Sequence, residues 1–237
     1  MSKRPRSNDL RYNLAAYKKR RVYKSRPGQF RKSGYYGRYN SLPAGTGGKE
    51  LKFFDESVAK VTVTTAGIVN SSINLIPQGV SESQRIGRKC TVKGFYLKGE
   101  AIIPQDSGTG ILTHDRVRMI VYLDKQANGA AAVVTDVLET ASIDSFRNLA
   151  NSGRFQVLKD RVVTLNATGG NFGSGGYGSF LYGQSIKWNK GKMNVPLEFS
   201  STVGTLTELR SNNLGIMFIS ENGLIQISYT SRLRFTG

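Results

Sequence analysis

The sequence holds almost none of the residues on which covalent and metal chemistry depend. One cysteine, Cys90, and one histidine, His114, stand in 237 residues. That excludes an intrachain disulfide, a cysteine-based zinc site and a histidine metal pair. A lone cysteine in an apolar stretch reads as a small core residue, and His114 beside Asp115 reads as a surface histidine at a strand edge. Carboxylate pairs such as Asp55 with Glu56, or Asp124 with Asp136, arise by chance in a chain of this size. No catalytic set emerges, so a non-enzyme without cofactor or metal is expected. No apolar run is long enough to cross a bilayer, and the basic N-terminus lacks the apolar core of a signal peptide. The expected setting is cytosolic or nuclear, where the sequons at Asn70 and Asn166 are silent.

Two glycine-rich stretches fail as phosphate loops. Gly45-Thr46-Gly47-Gly48-Lys49 is followed by Glu50, where the Walker pattern needs Ser or Thr, and no apolar strand leads into it. The run from Gly169 to Gly178 has no lysine after it and reads as a long surface loop.

Acidic residues are nearly missing from the front of the chain. Residues 1–40 hold one, Asp9, against Lys3, Arg4, Arg6, Arg11, Lys18, Lys19, Arg20, Arg21, Lys24, Arg26, Arg31, Lys32 and Arg38. This arm therefore carries +12 of the net +18, and the remaining 197 residues only +6. Aromatics are threaded between the charges at Tyr12, Tyr17, Tyr23, Phe30, Tyr35, Tyr36 and Tyr39. Cations neutralise phosphates and release counterions, while aromatic rings stack on unpaired bases. The pairing points to single-stranded nucleic acid bound with little sequence preference, with Tyr17, Tyr23, Tyr35 and Tyr36 as stacking candidates. Lys18-Lys19-Arg20-Arg21 also fits a nuclear import signal and a host import receptor. Branched aliphatics are too few in residues 1–48 to offset chain entropy, so a disordered arm is expected. Residues 8–24 could turn helical on a partner, with Leu10, Leu14 and Tyr17 on one face. The stretch 42–48 reads as a hinge, placing the domain boundary between 48 and 49.

After residue 50 the texture changes. Runs rich in Val, Ile, Thr, Phe and Tyr recur between Gly, Asn, Asp and Pro, predicting strands over 57–66, 89–103, 115–124, 154–165, 184–199, 213–220 and 224–235. An eighth is expected from a break at Asn189–Lys192 or from 68–76. The last run alternates Ile225, Ile227, Tyr229, Leu233 and Phe235 with Gln226, Ser228, Thr230, Arg232 and Arg234, giving one buried and one wet face. Asn222-Gly223 predicts a two-residue hairpin and Asn128-Gly129 another turn. One amphipathic helical segment is expected within 133–150, on Val137, Ile143, Phe146 and Leu149. Basic residues within strands leave the core face: Arg116 and Arg118, Arg232 and Arg234, with Lys187, Lys190 and Lys192 near Trp188. As a group these seven are candidates for a charged inner surface.

Several phrases are similar to the capsid proteins of circular, Rep-encoding single-stranded DNA viruses, the circovirus-like and geminivirus-like group. They are Lys49-Glu50-Leu51-Lys52-Phe53-Phe54-Asp55, then Gln84-Arg85-Ile86-Gly87-Arg88-Lys89 running into Val92-Lys93-Gly94-Phe95. Arg116 to Gln126, Phe146-Arg147-Asn148-Leu149 and Arg154 to Asp160 follow. The single cysteine departs from the Cys-His arrangement of some geminivirus coats, so that branch is not assigned. The resemblance implies an all-β, eight-stranded antiparallel jelly roll of viral coat type. It further implies about sixty copies in an icosahedral T=1 shell, arms on a single-stranded genome with DNA favoured over RNA, no membrane partner, and assembly in the host nucleus. Sixty arms of this charge would supply about 720 positive charges against about one phosphate per nucleotide. Two other readings share the arm: a cellular RNA-binding protein of ribosomal type, and the coat of a small RNA virus or satellite.

Overall fold

The computed structural model describes residues 50–104, 114–166 and 182–237. The arm, its helix candidate, the hinge and the glycine-rich run 169–178 lie outside the described residues. The elements are β1 (Leu51–Thr62), β2 (Ile68–Asn70), β3 (Lys89–Ile103), β4 (His114–Asp124), α1 (Val134–Val137), β5 (Phe155–Asn166), β6 (Tyr182–Lys190), β7 (Val195–Phe199), β8 (Leu209–Ser211), β9 (Asn213–Ser220) and β10 (Gln226–Thr236).

The pairings are nested. β1 pairs with β10, β2 with β9, β3 with β6 and β7, and β4 with β5, all antiparallel. A chain that pairs its ends, then the next strands inward, and lastly its middle is one long hairpin rolled into two layers. That is the jelly roll. The first sheet runs β1-β10-β3-β7-β8 with β6 also on β3, and the second runs β2-β9-β4-β5. β6 and β7 lie end to end along β3, so the predicted 184–199 run is one strand broken at 191–194. Counting that pair as one, and β8 as a short extension, gives eight strands.

Alternation explains the layers. Ile227, Tyr229, Leu233 and Phe235 of β10, with Phe95, Leu97 and Ala101 of β3, meet Val117, Met119 and Val121 of β4 and Ile216 and Phe218 of β9 between the sheets. Each such aliphatic or aromatic side chain taken from water contributes about 1.5–3 kcal/mol. Cys90 sits in this core, and burial pushes its thiol pKa up to about 12, which leaves it inert. Two glycines admit rings across a strand pair. A Cβ at Gly99 would lie 2.5 Å from the Tyr229 Cβ, and one at Gly215 2.3 Å from the Tyr122 ring.

Two local expectations are corrected. Gly223 does turn with a φ of 77°, but β9 and β10 belong to different sheets, so Asn222-Gly223 is a crossing link rather than a hairpin. Asp115 organises the link, accepting from the Ser220 hydroxyl at 2.7 Å and from the Asn222 amide at 3.1 Å. Within 133–150 the helix is limited to Val134–Val137. Ser, Thr, Asp and Asn side chains there compete for the backbone: the Thr140 amide donates to Ser145 Oγ and the Ala150 amide to Asn148 Oδ1. Val137 and Ile143 are buried, whereas Phe146 and Leu149 are 79% and 75% exposed.

Candidate nucleic-acid interface

The two sheets have outer faces as well as inner ones, and the long connection from β4 to β5 covers one of them. Ala132, Val134, Val137 and Leu138 pack onto Ile120, Tyr122, Met217 and Ile219, a second small core outside the sandwich. Bidentate bonds from Arg154 Nε and Nη2 to Asp124, at 2.9 and 2.8 Å, tie down the far end of this connection.

Arg116 and Arg118 lie on that covered face. Arg118 is buried; it grips Asp160 at 2.9 and 2.8 Å and donates to the carbonyls of Ile143 and Ser145. The Arg118 hydrogen bond holds the Asp160 carboxyl below its usual range. Arg116 grips Glu221 at 2.8 and 2.9 Å and reaches Asp144 at 3.2 Å, which lowers the Glu221 pKa likewise. These arginines are spent within the fold.

The outer face of the β1-β10-β3-β6 sheet is different. Register places its side chains in rows: Phe53 and Arg234; Asp55, Arg232, Tyr96 and Asn189; Ser57, Thr230, Lys98 and Lys187; Ser228, Glu100 and Ser185. Arg232, Arg234, Thr230, Lys98 and Lys187 are all exposed. Arg232 is held by Asp55 at 2.7 Å and lies 4.9 Å above the Phe53 ring. Arg234, Lys98 and Lys187 have no ion-pair partner among the described residues. A shallow groove runs over this face between Phe53 and Tyr96, floored by Arg232, Thr230 and Arg234.

The seven sequence candidates therefore divide. Arg116 and Arg118 belong to the opposite sheet and cannot share a surface with Arg232, Arg234 and Lys187. Lys190 pairs with Phe95 in register, which sets it on the core side at the rim, and Lys192 is exposed in the turn after β6. Sequence reading missed Phe53, Tyr96 and Lys98. Their signal was present, since Tyr96 and Lys98 alternate with Phe95 and Leu97 inside a strand placed correctly at 89–103. It also missed Arg85, which is fully buried and donates to the carbonyls of Ile76, Gly87 and Ser201 while lying 4.2 Å over Phe199. Burial draws its pKa down. Its task is to knit the 76–87 and 199–204 loops together.

An antiparallel jelly roll is the architecture of viral capsid domains, and of lectins and cupins. The family match selects the first. The family described as satellite tobacco necrosis virus coat protein matches residues 47–175, more than half of the chain. The chain belongs to that family. A coat protein of Maize white line mosaic satellite virus is 30% identical over 112 residues, 46% of this chain and 49% of the relative. The chain thus spans about half the length of that curated relative. A solved chain of desmodium yellow mottle tymovirus is similar at 10% identity and a TM-score of 0.34, over 84% of this chain and 87% of the other. The resemblance to DNA-virus capsids thus gave the coat-protein class, but the family matched is the satellite-virus one.

Proposed function

We propose that this protein is the shell subunit of a small icosahedral satellite-type virus, packaging single-stranded RNA with its N-terminal arm and with the outer face of the β1-β10-β3-β6 sheet. The observation that carries the reading is the set of Arg234, Lys98 and Lys187 on an exposed sheet, without ion-pair partners among the described residues, in a chain whose first 40 residues carry +12. RNA is favoured over the DNA expected from sequence because the family and the curated relative matched are satellite-virus coat proteins, not the DNA-virus capsids of the sequence resemblance. Residues 1–48 act as the tether and 49–237 as the wall of the shell, in about sixty copies.

In this arrangement the bare face turns inward to the cargo and the covered face outward. Phe146 and Leu149, exposed on the β4–β5 connection, are the candidates for subunit contacts. Nuclear import through Lys18–Arg21 is not part of the proposal. Deleting residues 2–40 tests it: shells still form but hold little nucleic acid, and what intact shells hold is digested by RNase after opening and not by DNase. Deleted shells that package normally would overturn the role of the arm, and DNase-sensitive contents would overturn the cargo.

A further inference from the structure

We propose that Tyr96, flanked by Arg234 on one side and by the Lys98–Lys187 pair on the other, is a subsite for one unpaired nucleotide of single-stranded RNA. Its base lies on the phenol ring and its neighbouring phosphates on the cations. The inference rests on the packaging reading above and gives one site within it a ligand.

Register supplies the first argument. Lys98 and Lys187 stand directly opposite each other on the same face of adjacent strands. Like charges in that position repel and weaken the pair, and no carboxylate bonds to either lysine among the described residues. An anion between the two ammonium groups turns the repulsion into attraction. The phosphodiester is the anion of the proposed cargo.

The second argument is the ring. Tyr96 is half-buried and lies along two glycines: a Cβ at Gly94 would sit 3.5 Å from its Cε2, and one at Gly191 3.7 Å from its hydroxyl. The absence of side chains at both positions leaves room for the phenol along the sheet, and the ring stays partly exposed. Arg234 is the cross-strand partner of Gly94, so it stands on the same face one two-residue step from Tyr96, whose own cross-strand partner is Arg232. Two-residue steps place Arg234 and Lys98 each about 7 Å from Tyr96 along the strands. A stacking plane with a cation to either side suits a base and its two phosphates.

The acids on this face fit the same path. Asp55 is engaged by Arg232 at 2.7 and 2.6 Å, which balances its charge. Glu100 lies one step past Lys98, accepting from the Ser228 hydroxyl at 3.4 Å, and ends the cationic track. A duplex hides its base faces, so such a subsite selects unpaired nucleotides.

Ultraviolet cross-linking of RNA-filled particles, followed by nuclease and protease digestion and mass spectrometry, is the test. A nucleotide adduct at Tyr96, retained in Tyr96→Phe and lost in Tyr96→Leu, is expected beside adducts on the arm. Adducts confined to the arm would remove the subsite and leave the packaging reading standing. Particles empty of nucleic acid would remove the packaging reading itself. As a companion measurement, Tyr96→Leu in the full chain weakens binding to single-stranded oligouridylate by about fivefold or more, with binding to an RNA duplex changed less than about twofold. Equal losses on both would show that the ring does not stack on bases.

Discussion

On the outer face of β4, Arg116 and Arg118 are locked to Glu221, Asp144 and Asp160 beneath the 125–154 connection. On the outer face of β3, β6 and β10, Lys98, Lys187 and Arg234 face water without an ion-pair partner among the described residues. Both sets arise from the same pattern, a basic residue alternating with apolar ones in a strand. What separates them, among the described residues, is the connection laid over one sheet and not the other. A guanidinium under a loop is a structural bolt, and removing it leaves a charge and two carbonyls unpaired. A bare ammonium holds nothing together inside the subunit and is available to a ligand.

The largest expected effect comes from the clad side. Arg118→Met should destabilise the body by about 3–5 kcal/mol in chemical denaturation, the cost of orphaning a buried partner. Arg85→Met should approach the same magnitude for the same reason. A cost below about 1 kcal/mol for Arg118→Met would place that residue with the solvent-facing cations and erase the contrast.

Acid should act on the clad side as well. Asp160 and Glu221 have pKa values lowered in the fold by Arg118 and Arg116. Their contribution is complete above the unfolded carboxylate values of about 3.9 and 4.3 and is lost as pH falls through the lower, folded values. Stability measured against pH should therefore drop below about pH 4, and Asp160→Asn should flatten that drop.

On the bare side the effects move from stability to binding. The triple variant Lys98→Gln, Lys187→Gln, Arg234→Gln should keep its folding free energy within about 0.5 kcal/mol. Its single-strand RNA affinity should depend less on salt, the log–log slope falling by about 0.7 for each cation removed. An unchanged slope would detach this face from the cargo. The smallest effect is the sharpest: Lys187→Gln alone should raise stability by a few tenths of a kcal/mol, about 0.2–1 at most, by ending its repulsion with Lys98.

Sequence pattern carried most of the architecture. β3 and β9 coincide with the predicted runs, and β4, β5 and β10 deviate by one or two residues, because period-two alternation over a buried face is a strong signal. β1 was placed late, at 57–66, since Lys52, Asp55 and Glu56 break its apolar pattern; Lys52 is nevertheless buried, with its ammonium on the Ser81 carbonyl at 3.1 Å. β8 is three residues long and escaped notice. The candidate interface was legible only in part. Alternation says that a residue leaves the core, but not whether a loop thirty residues away will cover it. That is why Arg116 and Arg118 were grouped with Arg232 and Arg234, and why Lys98, now facing Lys187 across a strand pair, was passed over.

The central claim is that the bare face looks onto the cargo and the clad face onto solvent. Labelling of intact filled particles with a bulky amine-reactive polymer, compared with labelling of dissociated subunits, tests it directly. Lys98 and Lys187 should be protected in particles and modified in free subunits, while Lys125 at the end of the clad sheet reacts in both. Modification of Lys98 and Lys187 in intact particles, with Lys125 protected, would contradict the account.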